Sequence, residues 1–313
     1  MRFSVEAWAP EYGSSTGTEM TESSIPADLS VERPVATWSP VVPTTGKDPR
    51  TILFTDGVRR VDARVWIQDG IGSRPGICAS YAAGAVLCDG KAKVVACEVQ
   101  RGLFTAASTA SAIVCKHASY PVRSAPGDTP EQLALGLQQR MGELEVMLAS
   151  AHEADLVVID GPLSGRQDVP GAVGFVKTHH VSYLRESPNA EAVVGQLAPG
   201  ERTPLFLTMT SWSRFSWYLR LPGAVGHPWA GIVRCEASAD HEVSEVVAIA
   251  DRVCRVLPRY ASVAHKDPRA PQNLYPIAGL ENRLRGRLGD AELLMRGLRV
   301  SAHAAEVRPG PTT

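Results

Sequence analysis

Two apolar runs decide the fold of this chain, ILFTDG at residues 52–57 and DLVVIDGP at residues 155–162. A continuous apolar run of this length is typical of a strand that is buried on both faces of a parallel sheet. Both runs lead into Asp-Gly, which puts Asp56 and Asp160 at the carboxyl ends of the two strands. A right-handed crossover would place the strands side by side, with both carboxylates at the edge where open α/β sheets bind their ligands.

A helix between the two runs is predicted to form this crossover. Thr129 is a preferred N-cap residue, and Pro130 suits the first helical position. Apolar side chains then recur at helical spacing, at Leu133, Leu137, Met141, Leu144 and Leu148. The sequence therefore predicts a helix that packs this apolar stripe against the sheet.

Further strands and helices complete an α/β fold. The runs VDARVWIQDG, ICASYAAGAVLCDG and KAKVVACEVQ follow the first strand, with a hairpin across Asp89-Gly90, and indicate antiparallel strands at the start. Later strands are predicted in GAVGFV, PLFLTMT, SWYLRL and AGIVRCE, and helices over residues 241–257 and 278–297. The expected architecture is a mixed central sheet flanked by helices.

Composition narrows the class of protein. The chain has 313 residues, 44% of them hydrophobic, and a net charge of -1, so any contact with nucleic acid must come from local basic clusters. No apolar run approaches the ~20 residues needed to cross a bilayer, and no signal peptide is recognisable. The six cysteines show no zinc-type spacing. We expect buried thiols and a cytoplasmic protein without membrane contact.

The first 48 residues differ from the rest of the chain. They are rich in Ser, Thr, Pro and Glu, a composition that cannot bury enough apolar surface to fold alone. We expect residues 1–48 to be a partly extended N-terminal arm and residues 49–313 to form the main domain. Trp8 and Trp38 are the candidate anchors of the arm, and an anchor on the chain's own domain is favoured over one on a partner.

The two strand-end carboxylates predict a metal site. Asp56 and Asp160 would lie within a few ångströms of each other, and like charges at that distance need a cation or a raised pKa. A divalent metal with oxygen ligands is the usual solution. The alternative for either residue alone is ordinary turn chemistry, which is the interpretation that we give to Asp69-Gly70 and Asp89-Gly90.

Other polar residues are candidates for the same site. Glu145 lies at the margin of the helix's apolar stripe and could reach inward, whereas Glu143 points further away. Lys177, at the end of GFVK, could hold a phosphate or a nucleophilic water, or could simply be a surface lysine. A basic cluster could bind phosphates or form helix-face ion pairs such as Glu281 with Arg285. Its members are Lys266, Arg269, Arg283, Arg285 and Arg287.

Five motifs in a fixed order resemble those of the bacterial NurA nucleases. They are FTDG, RMGELE, VIDGPL, GFVKTHH and PQNLYPIAGLE, and the resemblance covers roughly residues 50–297. It implies an RNase H/Piwi-like core, a homodimer, and a manganese-dependent nuclease that is a 5′-to-3′ exonuclease and a single-strand endonuclease. It also implies a hexameric HerA-type ATPase as partner in processing DNA double-strand breaks for homologous recombination.

The resemblance assigns roles by position. Asp56, Glu145 and Asp160 match the metal-binding acids, and Lys177 matches a lysine that contacts phosphate or orients water. The last motif matches Tyr275 to a catalytic tyrosine, with Asn273 as an alternative, and puts Glu281 where the family has a histidine ligand. Val58 stands where the family has a serine. Lys177, Arg269 and Arg283 would contact DNA.

These assignments suggest two-metal hydrolysis of a phosphodiester, in which Asp56 bridges two Mn²⁺ ions, with Mg²⁺ as a possible substitute. Single- and double-stranded DNA would be the substrates. One alternative is a catalytically impaired DNA-end adaptor that regulates the ATPase. A third interpretation, a metal-dependent phosphohydrolase of small substrates, is disfavoured because the sequence has no HxD, HxH or P-loop spacing.

Overall fold

The protein is an α/β molecule with a large mixed sheet and flanking helices, which confirms the predicted architecture at this level. A computed structural model describes residues 16–22, 27–209, 212–223 and 226–307. Trp8 lies outside the described residues. Within the described part of the chain, no helix has the length and apolar character needed to span a membrane.

The strands fall into one large sheet and two small ones. In the large sheet the hydrogen-bonded order is β2-β12-β13-β14-β10-β9-β3-β4-β5-β8, and β1 with β11 and β6 with β7 form separate pairs. The strands are β1 (Thr16–Glu22), β2 (Ala27–Asp28), β3 (Ile52–Asp69), β4 (Gly72–Cys88), β5 (Ala92–Thr105), β6 (Ile113–Cys115), β7 (Ala118–Tyr120), β8 (Val122–Ser124), β9 (Leu156–Asp160), β10 (Ala172–Val176), β11 (His179–Ser182), β12 (Phe206–Met209), β13 (Ser213–Arg220) and β14 (Ile232–Ser238).

The described residues form five α-helices: α1 (Pro130–Ser150), α2 (Pro188–Gln196), α3 (Val243–Val256), α4 (Tyr275–Arg287) and α5 (Ala291–Val307). The helix predicted from Pro130 is confirmed. Thr129 caps α1 because its hydroxyl oxygen accepts a hydrogen bond from the Gln132 backbone amide, and the Thr129 backbone amide donates to the Gln132 side-chain oxygen. The predicted apolar stripe is buried against Tyr81 and Phe104 of the sheet.

The chain divides into two compact units. Unit 1 comprises Met1–Thr55, Val86–Lys93 and His152–Gly279, and unit 2 comprises Asp56–Ala85, Val94–Ala151 and Leu280–Thr313. In unit 1, β9 is parallel to both β3 and β10, and β10, β14, β13 and β12 follow as antiparallel neighbours. In unit 2, helices α1 and α5 each pack on an apolar cluster.

The described part of the N-terminal segment is attached to unit 1. The intramolecular anchor expected for Trp38 is present: its side chain is 5% exposed and packs in an apolar cluster with side chains of α2 and β12. Glu32 accepts two hydrogen bonds from the buried Arg202 guanidinium, at 2.8 and 3.1 Å. Arg202 also donates to Asp251 at 2.8 Å. Residues 27–48 are therefore held by both apolar packing and charge.

Two predicted boundaries were wrong. The strand that was expected to end at Asp56 continues as β3 to Asp69, so the predicted second strand is part of the first. The helix predicted over residues 278–297 is divided into α4 and α5. Gly289, in the break, has a φ of 86°. Arg60 donates to the Gly289 carbonyl at 2.8 Å, which satisfies a carbonyl left free where the helical pattern is broken.

Candidate functional site

The carboxyl end of β9 carries the first candidate group. β3 and β9 are in parallel register from Ile52↔Leu156 to Thr55↔Ile159, and the next residue in each strand is an aspartate, Asp56 or Asp160. β9 ends at Asp160, because Gly161 turns the chain with a φ of 96°. The parallel pairing of the two predicted strands is thus confirmed.

Asp160 is the first member of a chain of hydrogen bonds in unit 1. Its Oδ2 accepts a hydrogen bond from the Lys177 Nζ at 2.7 Å, and Lys177 also donates to the Asn273 Oδ1 at 3.2 Å. The Asn273 amide group donates to the Asp267 Oδ2 at 2.7 Å. Asn273 is fully buried and the Lys177 side chain is 10% exposed. These hydrogen bonds therefore fix the Lys177 ammonium group beside the Asp160 carboxylate.

The second oxygen of Asp160 is placed differently. Its Oδ1 is buried and has no hydrogen-bond partner among the described residues. Asp160, Lys177 and Asp267 together carry one excess negative charge. A buried carboxylate oxygen without a partner needs an explanation, and an ion or a water is the usual one. Carboxylate oxygen is also the donor that Mn²⁺ and Mg²⁺ prefer, so this one oxygen has the chemistry of a metal ligand.

Unit 2 holds the second candidate group, formed by Asp56 and Glu145. Asp56 is 7% exposed, and its Oδ1 accepts a hydrogen bond from the Gly57 amide at 2.7 Å. The Glu145 carboxylate lies against Gly57, where a β-carbon would collide with its Oε1. Glu145 is 2% exposed, whereas the Glu143 side chain is 62% exposed and pairs with Arg140. Of the two glutamates, the structure brings Glu145 to the strand.

A buried charged network supports the loop that follows Asp160. The Leu163 amide donates to the Glu236 Oε2 at 2.9 Å, and the Glu236 Oε1 accepts from Arg214 at 3.0 Å and from Arg234 at 2.8 Å. Glu236 is fully buried. Neither Glu236 nor Asp267 was predicted from the sequence. Asp267 belongs to no strand end and Glu236 lies within a strand, so the strand-end pattern that marked Asp160 does not find them.

The remaining predicted residues of unit 1 lie around the entry to α4. Tyr275 is 39% exposed, and the Lys266 ammonium lies 5.7 Å from the centre of its ring. Arg269 donates its backbone amide to the Asp267 Oδ1 at 2.8 Å. Asn273, the sequence alternative to Tyr275, is the one whose side chain reaches Lys177. The catalytic role expected for Tyr275 stays a prediction.

Two predicted residues on α4 form an ion pair in unit 2. Glu281 accepts hydrogen bonds from the Arg285 guanidinium at 2.8 and 3.2 Å, one helical turn away. This is the helix-face ion pair that the sequence offered as the alternative to phosphate binding by the basic cluster. Arg283 is exposed on the same helix. Its contact with DNA and the ligand role of Glu281 stay predictions.

The described residues contain no preformed cluster of three or more His, Cys, Asp or Glu side chains arranged to hold a metal ion. Asp56, Glu145, Asp160 and Glu281 were predicted as one ligand set, and that set also stays a prediction. The observation that favours a cation is therefore the buried Asp160 Oδ1, which has no hydrogen-bond partner among the described residues.

Cysteine chemistry is disfavoured at three positions. Burial raises the pKa of the Cys78 thiol to about 12 and that of Cys254 to about 12. Burial also raises the pKa of Cys235 well above its usual value. A thiol becomes a nucleophile only as a thiolate, so these residues are inert near neutral pH.

Comparison with known proteins gives no match to a family model and no match to a curated protein.

Proposed function

We propose that this protein is a metal-dependent nuclease that hydrolyses DNA phosphodiesters, of the NurA type and with an RNase H/Piwi-like core. The observation that carries the proposal is the Asp160 carboxylate, with one oxygen paired to Lys177 and the other buried without a hydrogen bond among the described residues. The register of β3 with β9 adds support, since each strand continues from its last paired residue to an aspartate.

Asp56, Glu145 and Asp160 would hold the metal, with Glu281 as a further ligand. Mn²⁺, or Mg²⁺ in its place, would activate water and stabilise the leaving oxygen when bound. Asp56 and Glu145 meet at Gly57, and Asp160 ends β9, so all three carboxylates are held by ordered backbone. Such fixed acids suit an ion that requires oxygen ligands in defined positions.

Lys177 would stabilise the phosphate on which this chemistry acts. Its ammonium group has three N–H bonds, and Asp160 and Asn273 accept two of them. The third is available for a phosphate oxygen or for the attacking water. Asn273 is itself oriented by Asp267, because the amide group donates to that carboxylate and presents its oxygen to Lys177. Fixed donors of this kind contribute on the order of 10²–10³-fold to a rate.

Tyr275 would be a catalytic residue, and Arg269 and Arg283 would add contacts to the DNA. The NurA resemblance extends the proposal to a cytoplasmic homodimer that acts with a hexameric HerA-type ATPase in double-strand-break end resection. It also extends it to 5′-to-3′ exonuclease and single-strand endonuclease activities on single- and double-stranded DNA. The support for this part is the order of the five sequence motifs.

The test compares strand-end aspartates that share a sequence pattern. We expect Asp160→Asn and Asp56→Asn each to lower Mn²⁺-dependent cleavage of a labelled single-stranded oligonucleotide by more than about 10³-fold. Asp89→Asn is the matched control, because Asp89-Gly90 is an exposed hairpin turn. Cleavage by each purified variant is measured over a Mn²⁺ titration, with circular dichroism to verify folding.

Glu145→Gln and Glu143→Gln form a second matched pair on one helix. The first change should abolish cleavage and the second should leave it unchanged, since Glu143 faces solvent. Full activity of Asp160→Asn would exclude the proposed role of Asp160. Equal loss in Asp89→Asn or Glu143→Gln would show that the effect is unspecific.

A second candidate function is a DNA-end adaptor that regulates the ATPase without cutting. The pairing of Glu281 with Arg285 favours it, because a carboxylate engaged in an ion pair is a poorer metal ligand than the histidine of the family. Wild-type protein distinguishes the two functions. An adaptor would bind the labelled oligonucleotide over the whole Mn²⁺ titration and leave it intact.

A further inference from the structure

A pocket of about 280 Å³ opens in unit 1 at the amino end of β9. It lies where the segment before β3 meets α3. We call it the basic pocket. Its lining consists of Lys47, Asp48, Pro49, Arg50, Asp155 and Arg252.

One acid of the basic pocket is committed to neighbouring arginines. Asp48 accepts hydrogen bonds from the Arg255 Nε at 3.2 Å and from the Arg259 guanidinium at 2.6 Å. Hydrogen bonds from Arg259 and then Arg255 lower the pKa of Asp48, so the carboxylate is ionised at neutral pH. Its charge is therefore already balanced from outside the lining.

The other acid is committed to the backbone. The Asp155 Oδ2 accepts hydrogen bonds from the Arg50 amide at 2.7 Å and from the Thr51 amide at 3.0 Å. These amides lower the pKa of Asp155. The carboxylate thus fixes the start of β3 against the start of β9, and the nearby Arg50 charge adds a smaller contribution to the lowered pKa.

Within the described part of the chain, no cationic side chain of the lining forms an ion pair. Lys47 and Arg50 are exposed, and Arg50 acts on the Asp155 carboxylate as a nearby charge. Arg252 donates to the Asp155 carbonyl, at 3.4 Å. The lining thus holds three cations and two carboxylates, and one of these carboxylates, Asp48, is already paired with Arg255 and Arg259 outside it, so the pocket carries excess positive charge in a chain whose net charge is -1.

We propose that the basic pocket is a binding site for a phosphate-bearing anion, held by Lys47, Arg50 and Arg252. Arginine binds phosphate through two parallel hydrogen bonds, and lysine adds a compact charge. The pocket is separate from the candidate metal site. Asp155 and Asp160 flank the two ends of β9, and five residues of strand span about 16 Å. The proposal therefore does not depend on the proposed nuclease activity.

Two sources can supply such an anion: a small phosphate compound, or the backbone of a nucleic acid. The first experiment titrates pyrophosphate into the full-length protein by isothermal calorimetry. The test variant is Lys47→Gln/Arg252→Gln, which removes charge and keeps side-chain length. Lys116→Gln/Arg299→Gln is the matched control, since it removes the same two charge types from exposed positions elsewhere.

We expect wild-type protein and the control to bind pyrophosphate with equal affinity, and the test variant to bind about tenfold or more weakly. Thermal unfolding verifies that both variants are folded. Absence of saturable binding to wild type would overturn the proposal. Equal binding by the test variant, or an equal loss in the control, would also overturn it.

The second experiment identifies the source of the phosphate. A labelled 15-nucleotide single strand is bound without divalent metal, so that cleavage does not interfere, at several salt concentrations. If the pocket takes a nucleic-acid backbone, the test variant binds more weakly and log K falls less steeply with log salt, by about 0.7 per lost phosphate contact. If only pyrophosphate binding falls, the ligand is a small phosphate compound.

Discussion

Asp56-Gly57 and Asp160-Gly161 follow apolar runs of the same kind, yet their glycines do different things. Gly161 has a φ of 96° and ends β9, as a turn glycine does. Gly57 is not among the glycines with positive φ, and β3 runs through it to Asp69. The turn interpretation of Asp-Gly therefore holds for one of the two pairs.

The difference lies in what surrounds each glycine. A β-carbon at Gly161 would meet nothing within 4 Å, so only the backbone conformation requires glycine there. A β-carbon at Gly57 would collide with the Glu145 carboxylate and lie 2.9 Å from the Met141 Cγ. At Gly57 the missing side chain makes space for an acid from α1. The same Asp-Gly dipeptide can thus either turn the chain or allow a side chain from another element to approach the backbone closely.

The largest effect is expected for Gly57→Ala. The new methyl group must displace the buried Glu145 and Met141, and overpacking of this kind costs about 2–3 kcal/mol of unfolding free energy. Urea denaturation of the purified variant measures the loss. In a Glu145→Ala background the same change should cost much less, because the closest obstacle is gone. A neutral Gly57→Ala in the wild-type background would show that α1 does not press on this strand.

A smaller effect is expected for Gly161→Ala. Alanine in the left-handed region costs about 1 kcal/mol, and nothing adjacent adds to it. Gly161→Asn should be better tolerated, since asparagine adopts this conformation more readily. Urea denaturation of both variants tests the order. If alanine and asparagine are equally harmless, the backbone conformation at residue 161 does not require glycine.

The smallest effect is expected for Asp155, which lies at the start of β9 and binds the start of β3, and this effect depends on pH. Hydrogen bonds from the Thr51 and Arg50 amides lower the pKa of Asp155 from 3.8, so its stabilising contribution is present above that pH and is lost as pH falls below it. Asp155→Asn should therefore destabilise the protein at pH 7. The difference from wild type should shrink towards pH 3 in urea denaturation. Asp168→Asn, at an exposed position, serves as the control.

Periodicity was enough to predict much of the fold. The spacing of Leu137 and Met141, with the N-cap at Thr129, predicted α1 because burial and capping both follow from local sequence. The parallel pairing of β3 and β9 followed from the crossover rule. The break between α4 and α5 was not predicted, since the Arg60 side chain that stabilises it belongs to β3, which is far away in the sequence.

The candidate site was only partly accessible to sequence reasoning. Position on the helix stripe separated Glu145 from Glu143, and the strand end marked Asp160. Asp267 and Asn273 join Lys177 through contacts between residues far apart in the chain, for which the sequence has no local signal. The continuation of β3 past Asp56 was also missed, because Asp-Gly is a common turn signal whereas Gly57 lies within the strand and leaves room for Glu145.

The buried Arg202 guanidinium makes the N-terminal segment part of the body of the protein. Its positive charge is shared between Glu32, which lies between β2 and β3, and Asp251 of α3, whose carboxylate also binds Thr44. A protein shortened to begin at residue 49 would keep the arginine and Asp251 but lose both Glu32 and Thr44. The guanidinium would then lose the Glu32 acceptor and the Asp251 carboxylate would lose the Thr44 donors, so residues 32–44 cannot be trimmed as a dispensable extension.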